Sequence, residues 1–163
     1  MACRNIIIGI HDLEIFRKIL PDMVEWMKEM GEEVCATLLY VAPVLEAATP
    51  VLEEMRLRGI QLEDFALELE RRGIRTQTRV RAGEFAGEVV REAGEKGAFA
   101  VLISTGGRAR RSAHTWIVNE VIRRAPCPVV VFRPKLLKFT DRVAISLSSR
   151  LRKLTAKAAT EHT

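Results

Sequence analysis

Within nine residues, Ser104-Thr105-Gly106-Gly107-Arg108-Ala109-Arg110-Arg111-Ser112 gathers three hydroxyls, two glycines and three arginines. Hydroxyls and guanidinium groups donate charge-assisted hydrogen bonds to an anion, and glycines let backbone N–H groups come close to it. The apolar run Ala100-Val101-Leu102-Ile103 leads into this stretch and a segment with helical spacing follows it. A strand, a small-residue loop and a helix start are the arrangement in which amides and a helix dipole converge on a phosphate-like group. That is chemistry of binding. His11-Asp12 closes an earlier apolar run and offers the one other polar pair of interest. No carboxylate pair lies near the loop to hold a metal, and His11 is the only base candidate, so no catalytic residue is assigned. The plainer account, in which the arginines form a solvated helix start and the glycines only turn the chain, stays open.

Other reactive side chains point away from catalysis. Cys3, Cys35 and Cys127 are odd in number and lack close-paired ligand spacing. Each lies in or beside an apolar run, where cysteine behaves as a small hydrophobe. His11, His114 and His162 are scattered, so no metal cluster is indicated. The net charge of +5 permits nucleic acid or an acidic surface as partner, yet aromatics make up only 6% and do not interleave with the basic residues. Nucleic acid is therefore not indicated. No stretch approaches the apolar length of a membrane span, so a membrane is not expected as partner. The residues before Asn5 leave no room for a leader, which points to the cytoplasm.

The elements that position these groups follow from hydrophobic periodicity. Asn5–Ile10 is a continuous apolar run, as in a strand buried on both faces. From Leu13 to Met30, Phe16, Leu20, Met23, Met27 and Met30 recur at three and four, which predicts an amphipathic helix ended by Gly31. Val34–Val41 reads as a second buried strand, stopped at Ala42-Pro43. A helix from about Val51 to Arg72 carries Met55, Leu62, Ala66 and Leu69 on one side, with Gly73 at its end. Ile74–Ala82 alternates, with Arg75, Gln77, Arg79 and Arg81 on the polar side, so it reads as a half-exposed edge strand. Gly83-Glu84 opens a third helix with Phe85, Val89 and Ala93 inward. Phe99–Ile103 is the fourth strand. Ile117, Val118, Val121, Ile122 and Ala125 line a fourth helix, and Val129–Phe132 is the fifth strand.

Alternation of strand and helix predicts an α/β fold: a single-domain, doubly wound, five-stranded parallel sheet with helices on both faces. Ligands in such sheets sit beyond the carboxyl ends of strands, where the strand order reverses. This places His11-Asp12 and Ser104–Gly107 on one edge. Residues 1–134 form the α/β domain and 135–163 a basic C-terminal extension. In the extension, Arg142–Ser148 alternates like a strand and Ser149–Lys157 has the spacing of a short basic helix. Packing on a partner subunit or fraying is the expectation for it, ahead of a membrane-surface helix.

Gly97–Arg108, followed by Arg124-Ala125-Pro126-Cys127-Pro128-Val129-Val130-Val131, resembles the universal stress protein family. Leu38–Pro43 is similar to that family's second strand and Val80–Glu84 to its third-strand exit. The resemblance runs from about residue 4 to residue 134 and implies the adenine nucleotide α-hydrolase-like fold with sheet order 3-2-1-4-5. It also implies a homodimer paired through the last strand: Val129, Val130, Val131, Phe132 and Arg133. Members that bind ATP carry a glycine, two residues, a glycine, nine residues, then a glycine and a small hydroxyl residue. Here the first position falls on Ser104, the second on Gly107 and the closing pair on Thr115-Trp116, two residues early. His11 stands where binders place an aspartate, with Asp12 next, while Val41 matches the valine that contacts adenine.

The residues and the resemblance together lead to a regulatory binding protein of the stress response, with no turnover of its own. The ligand the loop admits is ATP or another adenine nucleotide, or another phosphorylated small molecule, held weakly or not at all; no other cofactor is expected. The anion site is assigned to His11, Asp12, Val41, Ser104, Thr105, Gly106, Gly107, Arg108, Arg110, Arg111, Ser112 and Thr115. Two alternatives stand beside this reading. One is an ATP-binding switch; the other is an interaction module that docks on an acidic protein partner through its dimer edge and basic tail.

Overall fold

Every apolar run expected to be a strand is one in the computed structural model, which describes residues 3–31, 33–43, 48–105 and 111–134. The elements are β1 (Arg4–Ile10), α1 (Leu13–Glu29), β2 (Val34–Ala42), α2 (Ala48–Arg71), β3 (Arg75–Ala82), α3 (Phe85–Lys96), β4 (Ala100–Ser104), α4 (Arg111–Arg124) and β5 (Val129–Phe132). The strands form one parallel sheet in the order β3-β2-β1-β4-β5.

Successive side chains of a strand point to opposite faces, and the sheet uses both. Ile6, Ile8, Ile10, Leu38, Leu102 and Val130 join Phe16, Met23, Leu62 and Leu69 in the core under α1 and α2. Ile7, Leu39, Val41, Val101 and Ile103 join Val89, Ala93 and Val121 under α3 and α4. At Gly9, α3 packs close against β1. A Cβ there would stand 2.9 Å from Val89 Cγ2, 3.1 Å from Phe85 Cζ and 3.2 Å from Ile103 Cγ2.

Four sequence expectations change. First, Cys3 and Cys35 are not merely small hydrophobes: they form a disulfide, with Cα atoms 5.8 Å apart. Parallel pairing sets Arg4 opposite Val34 and Asn5 opposite Cys35, so the residue leading into β1 lies beside the start of β2. Cys127 remains a half-buried thiol, and burial pushes its pKa up. Second, Ile122 does not line the core. Val118 and Val121 set the inward direction of α4, and Ile122, about 100° further round the helix, is exposed.

Third, β3 is the half-exposed edge strand expected, with Arg75, Gln77 and Arg79 exposed, but the far end of its polar side is tied to carboxylates of α3 rather than simply solvated. Arg81 reaches Glu92, Glu88 at 3.4 Å and Glu95 at 3.3 Å. Arg79 lies 3.7 Å from the second oxygen of Glu92, which is fully buried. Charges turned inward along an edge discourage pairing with another strand. Fourth, α2 starts at Ala48, three residues before Val51, with Pro50 in its first turn, where a missing N–H costs nothing. The strand and helix expected in the C-terminal extension lie outside the described residues.

Candidate functional site

The winding of the sheet reverses direction between β1 and β4. From β1 the chain crosses through α1 to β2, and from β4 it crosses through α4 to β5 on the other face. The two crossovers diverge and leave a crevice above the paired ends of β1 and β4. His11 and Asp12 follow β1, Ser104 ends β4 and Thr105 follows it, so the structure brings the two expected polar groups to one edge.

What each of these residues does there is more specific than its type. Asp12 is the N-cap of α1: its Oδ1 accepts from the N–H of Glu14 at 2.9 Å and of Ile15 at 3.2 Å. Such a bond satisfies two of the helix's orphan donors. The His11 ring is half-buried and sits edge-on against Phe85 of α3, with centroids 5.3 Å apart and planes at 77°. The Val41 side chain is buried in the core under α3 and presents no open surface. Ser104 is buried, in register with Phe132 of β5. Thr105 continues that pairing: its N–H donates to the Phe132 carbonyl at 2.8 Å, and its hydroxyl lies 3.5 Å from the same oxygen.

Arg111, Ser112 and Thr115 fall in the first turns of α4. The amino end of that helix supplies partial positive charge and outward backbone N–H groups at the β4 edge. Gly106, Gly107, Arg108 and Arg110 lie outside the described residues. Trp116 stands in the second turn of α4, on the side away from Val118, and is exposed. Among the described residues no group of three or more His, Cys, Asp or Glu could hold a metal ion.

The surroundings brace this edge. Gly83 adopts φ +153, a region that side chains avoid, and its N–H donates to the Ala42 carbonyl at 3.0 Å as the chain turns from β3 into α3. Glu84 at the start of α3 pairs with Arg124 near the end of α4 at 3.1 Å. Burial alone would lower the Arg81 pKa, but Glu92, Glu95 and Glu88 outweigh it and raise it. The Tyr40 hydroxyl donates to Glu54 at 3.0 Å; burial first, then that carboxylate, raises its pKa.

Sequence reasoning missed Gly9, Phe85 as the neighbour of His11, and the Arg81–Glu92 pair. Signals for two of them were in the chain. Gly9 interrupts a run of isoleucines, which marks close approach of another element. Glu88, Glu92 and Glu95 recur at four and three on α3, opposite the alternating arginines of β3.

With this geometry in hand, relatives can be compared. The model of the universal stress protein family matches residues 22–133. No curated protein matches the chain. Among solved structures, a universal stress protein from Archaeoglobus fulgidus DSM 4304 superposes with a TM-score of 0.55 at 18% identity. That alignment covers 80% of this chain and 44% of the other, so this chain spans less than half of that relative. A universal stress protein family protein from Arabidopsis thaliana, solved with AMP bound, gives 0.54 at 15% identity, over 86% of this chain and 97% of that one. A universal stress protein from Archaeoglobus fulgidus in complex with dAMP gives 0.55 at 15% identity, over 80% and 97%. At these identities the likeness is one of fold.

Proposed function

This chain belongs to the universal stress protein family, and from that premise we propose that it acts by binding, without turnover, and that any adenine nucleotide is held weakly or not at all. One observation carries the reading: two of the described polar groups at the crevice are already used within the fold. Asp12 caps α1 and the Thr105 N–H is given to Phe132. A phosphate would therefore draw its donors from the amino end of α4 and from Gly106–Ser112, with Arg108, Arg110 and Arg111 as its charge partners. The sugar and base would meet the His11–Phe85 ring pair in place of a free aspartate. AMP and dAMP on structural neighbours make an adenine nucleotide the ligand class to test.

Equilibrium titration with a fluorescent ATP analogue, with and without magnesium, tests this. Weak binding, or none, in the millimolar range is expected, corresponding to about −4 kcal/mol or less favourable. Micromolar affinity that Gly107→Val abolishes overturns the reading in favour of an ATP-binding switch. Phosphate release that disappears in His11→Ala overturns the absence of turnover.

The assembly we propose is a homodimer through Val129, Val130, Val131, Phe132 and Arg133. β5 pairs only with β4 among the described residues, which leaves one strand edge open to a second copy. α4, packed against β5, exposes Trp116 and Ile122 beside it. The proposed division of the chain is a 1–134 domain and a basic 135–163 extension. The proposed compartment is the cytoplasm, where a disulfide such as Cys3–Cys35 persists in hyperthermophile proteins or serves a redox role. No helix among the described residues is long and apolar enough to cross a membrane.

A further inference from the structure

The outer face of α2 carries an apolar stripe that the fold leaves bare. Leu52 is 72% exposed, Leu57 48%, Ile60 54% and Leu67 54%. Leu57, Ile60, Asp64 and Leu67 recur at three, four and three, the spacing of a helix–helix seam. Leu57 and Ile60, with Glu53, Glu54, Arg58 and Gln61, line a shallow cavity of about 520 Å³. Met55, Leu62, Ala66 and Leu69 already bury the opposite side, so α2 is apolar on two faces. It is also the most acidic helix, with Glu53, Glu54, Glu63, Asp64, Glu68 and Glu70 against Arg56, Arg58 and Arg71. Asp64, inside the stripe, has no ion-pair partner among the described residues.

A complement lies in the same chain. Residues 135–163 hold seven of the 26 Lys and Arg but only two of the 21 Asp and Glu. The remaining 134 residues hold nineteen of each, so the net charge of +5 resides entirely in this segment. Leu147, Leu151, Leu154 and Ala158 recur there at four, three and four, flanked by Arg150, Arg152, Lys153 and Lys157. We propose that residues 147–158 dock as a basic amphipathic helix along the acidic, apolar outer face of α2 in the same chain.

Reach permits it. β5 ends at one side of the sheet, and α2 packs on β2 and β3 three to four strands away, roughly 14–20 Å at normal strand spacing. The twelve residues 135–146 extend to roughly 40 Å. Tethering also favours the chain's own segment over a second copy at ordinary concentrations. A membrane-bound segment would leave the α2 stripe uncovered. Pairing of α2 with α2 would set one acidic face against another. The inference stands independently of any nucleotide.

Zero-length carbodiimide cross-linking of the full chain, with peptide mapping, tests the contact. Links from Lys153 or Lys157 to Asp64 or Glu68 are expected, and in a mixture of light and isotopically heavy protein they join like with like. Links between light and heavy chains overturn docking within one chain. Amide deuterium exchange across α2 should quicken by roughly tenfold in the full-length Leu151→Asp/Leu154→Asp protein; unchanged exchange overturns the proposal. Asp64→Lys/Glu68→Lys, on the outer side of α2, should release the segment to bind anionic vesicles. Adding Lys153→Glu/Lys157→Glu should restore slow α2 exchange. Wild-type protein that binds those vesicles as tightly as Asp64→Lys/Glu68→Lys has a free segment, which also overturns the proposal.

Discussion

Opening the Cys3–Cys35 bond should cost the protein about 4 kcal/mol while leaving its native structure in place. The bond closes a loop with a sequence separation of 32 residues. In the chain-entropy treatment, a loop of that length removes about 12 cal/mol/K from the unfolded ensemble, about 3.7 kcal/mol at 25 °C. The native state needs the bond less, because β1 and β2 already pair in register from Arg4↔Val34 to Ile10↔Tyr40. The loss therefore appears through the unfolded chain. For a chain of 163 residues, each kcal/mol moves the midpoint by roughly 2–4 °C, so a fall of roughly 7–15 °C is expected. The assay is urea and thermal unfolding followed by far-ultraviolet circular dichroism, with and without a dithiol reductant. Cys3→Ala/Cys35→Ala should match the reduced wild type and no longer respond to the reductant. Cys127→Ala should keep the full response. Three titratable thiols in the denatured, unreduced protein would refute the reasoning at its root. So would equal midpoints with and without reductant.

Three further outcomes follow from packing and charge. Gly9→Ala should destabilise the fold by about 1–3 kcal/mol in chemical unfolding, since its new methyl meets Val89, Phe85 and Ile103 at 2.9–3.2 Å; a neutral result would mean that α3 is free to lift. Arg81→Ala should lose about 3 kcal/mol by leaving the fully buried Glu92 with only Arg79 at 3.7 Å, and Arg81→Ala/Glu92→Leu should recover much of it. Tyr40 is the chain's single tyrosine, so near-ultraviolet phenolate absorbance reads it alone and should show a midpoint above 10.0. Because the folded state holds that proton more tightly than the unfolded chain, stability should fall as pH rises from 10.0 through the folded midpoint, and Tyr40→Phe should remove this part of the alkaline loss.

The strands and their parallel, doubly wound arrangement were legible because burial on both faces writes continuous β-branched runs and strand–helix alternation admits few topologies; their order followed from the family resemblance. Helix limits were less so: α2 begins at Ala48, where Pro50 breaks the apolar period yet suits a first turn. The disulfide was out of reach for a different reason. Cys3 and Cys35 become neighbours only through the register of two strands separated by a helix, and composition offered Cys127 as an equal partner. The inward side of β3 was half legible. Alternation identified its arginines and their exposure correctly, but the pairing of Arg81 depends on three glutamates of the next helix, whose four-and-three spacing a strand-by-strand reading does not cross.

At the crevice, the residue types and the edge they share were readable, while the use of each side chain was not. An aspartate just after a strand satisfies two demands equally well in sequence, a ligand hydroxyl or the N–H groups of the helix that follows. Asp12 takes the second, because α1 begins at Leu13 and its orphan donors lie within 3.2 Å of Oδ1. Had the polar residue stood one place earlier, at position 11, its side chain would have left the strand before the helix claimed it. In this chain position 11 holds His11, whose ring leans on Phe85. Thr105 repeats the pattern across the crevice: one residue of extra strand pairing turns a phosphate donor into a sheet donor. Both shifts act in the same direction. Each transfers hydrogen-bonding capacity from the ligand to the scaffold, at about 0.5–1.5 kcal/mol per bond. That exchange reconciles a well-braced fold with the weak nucleotide binding proposed for it.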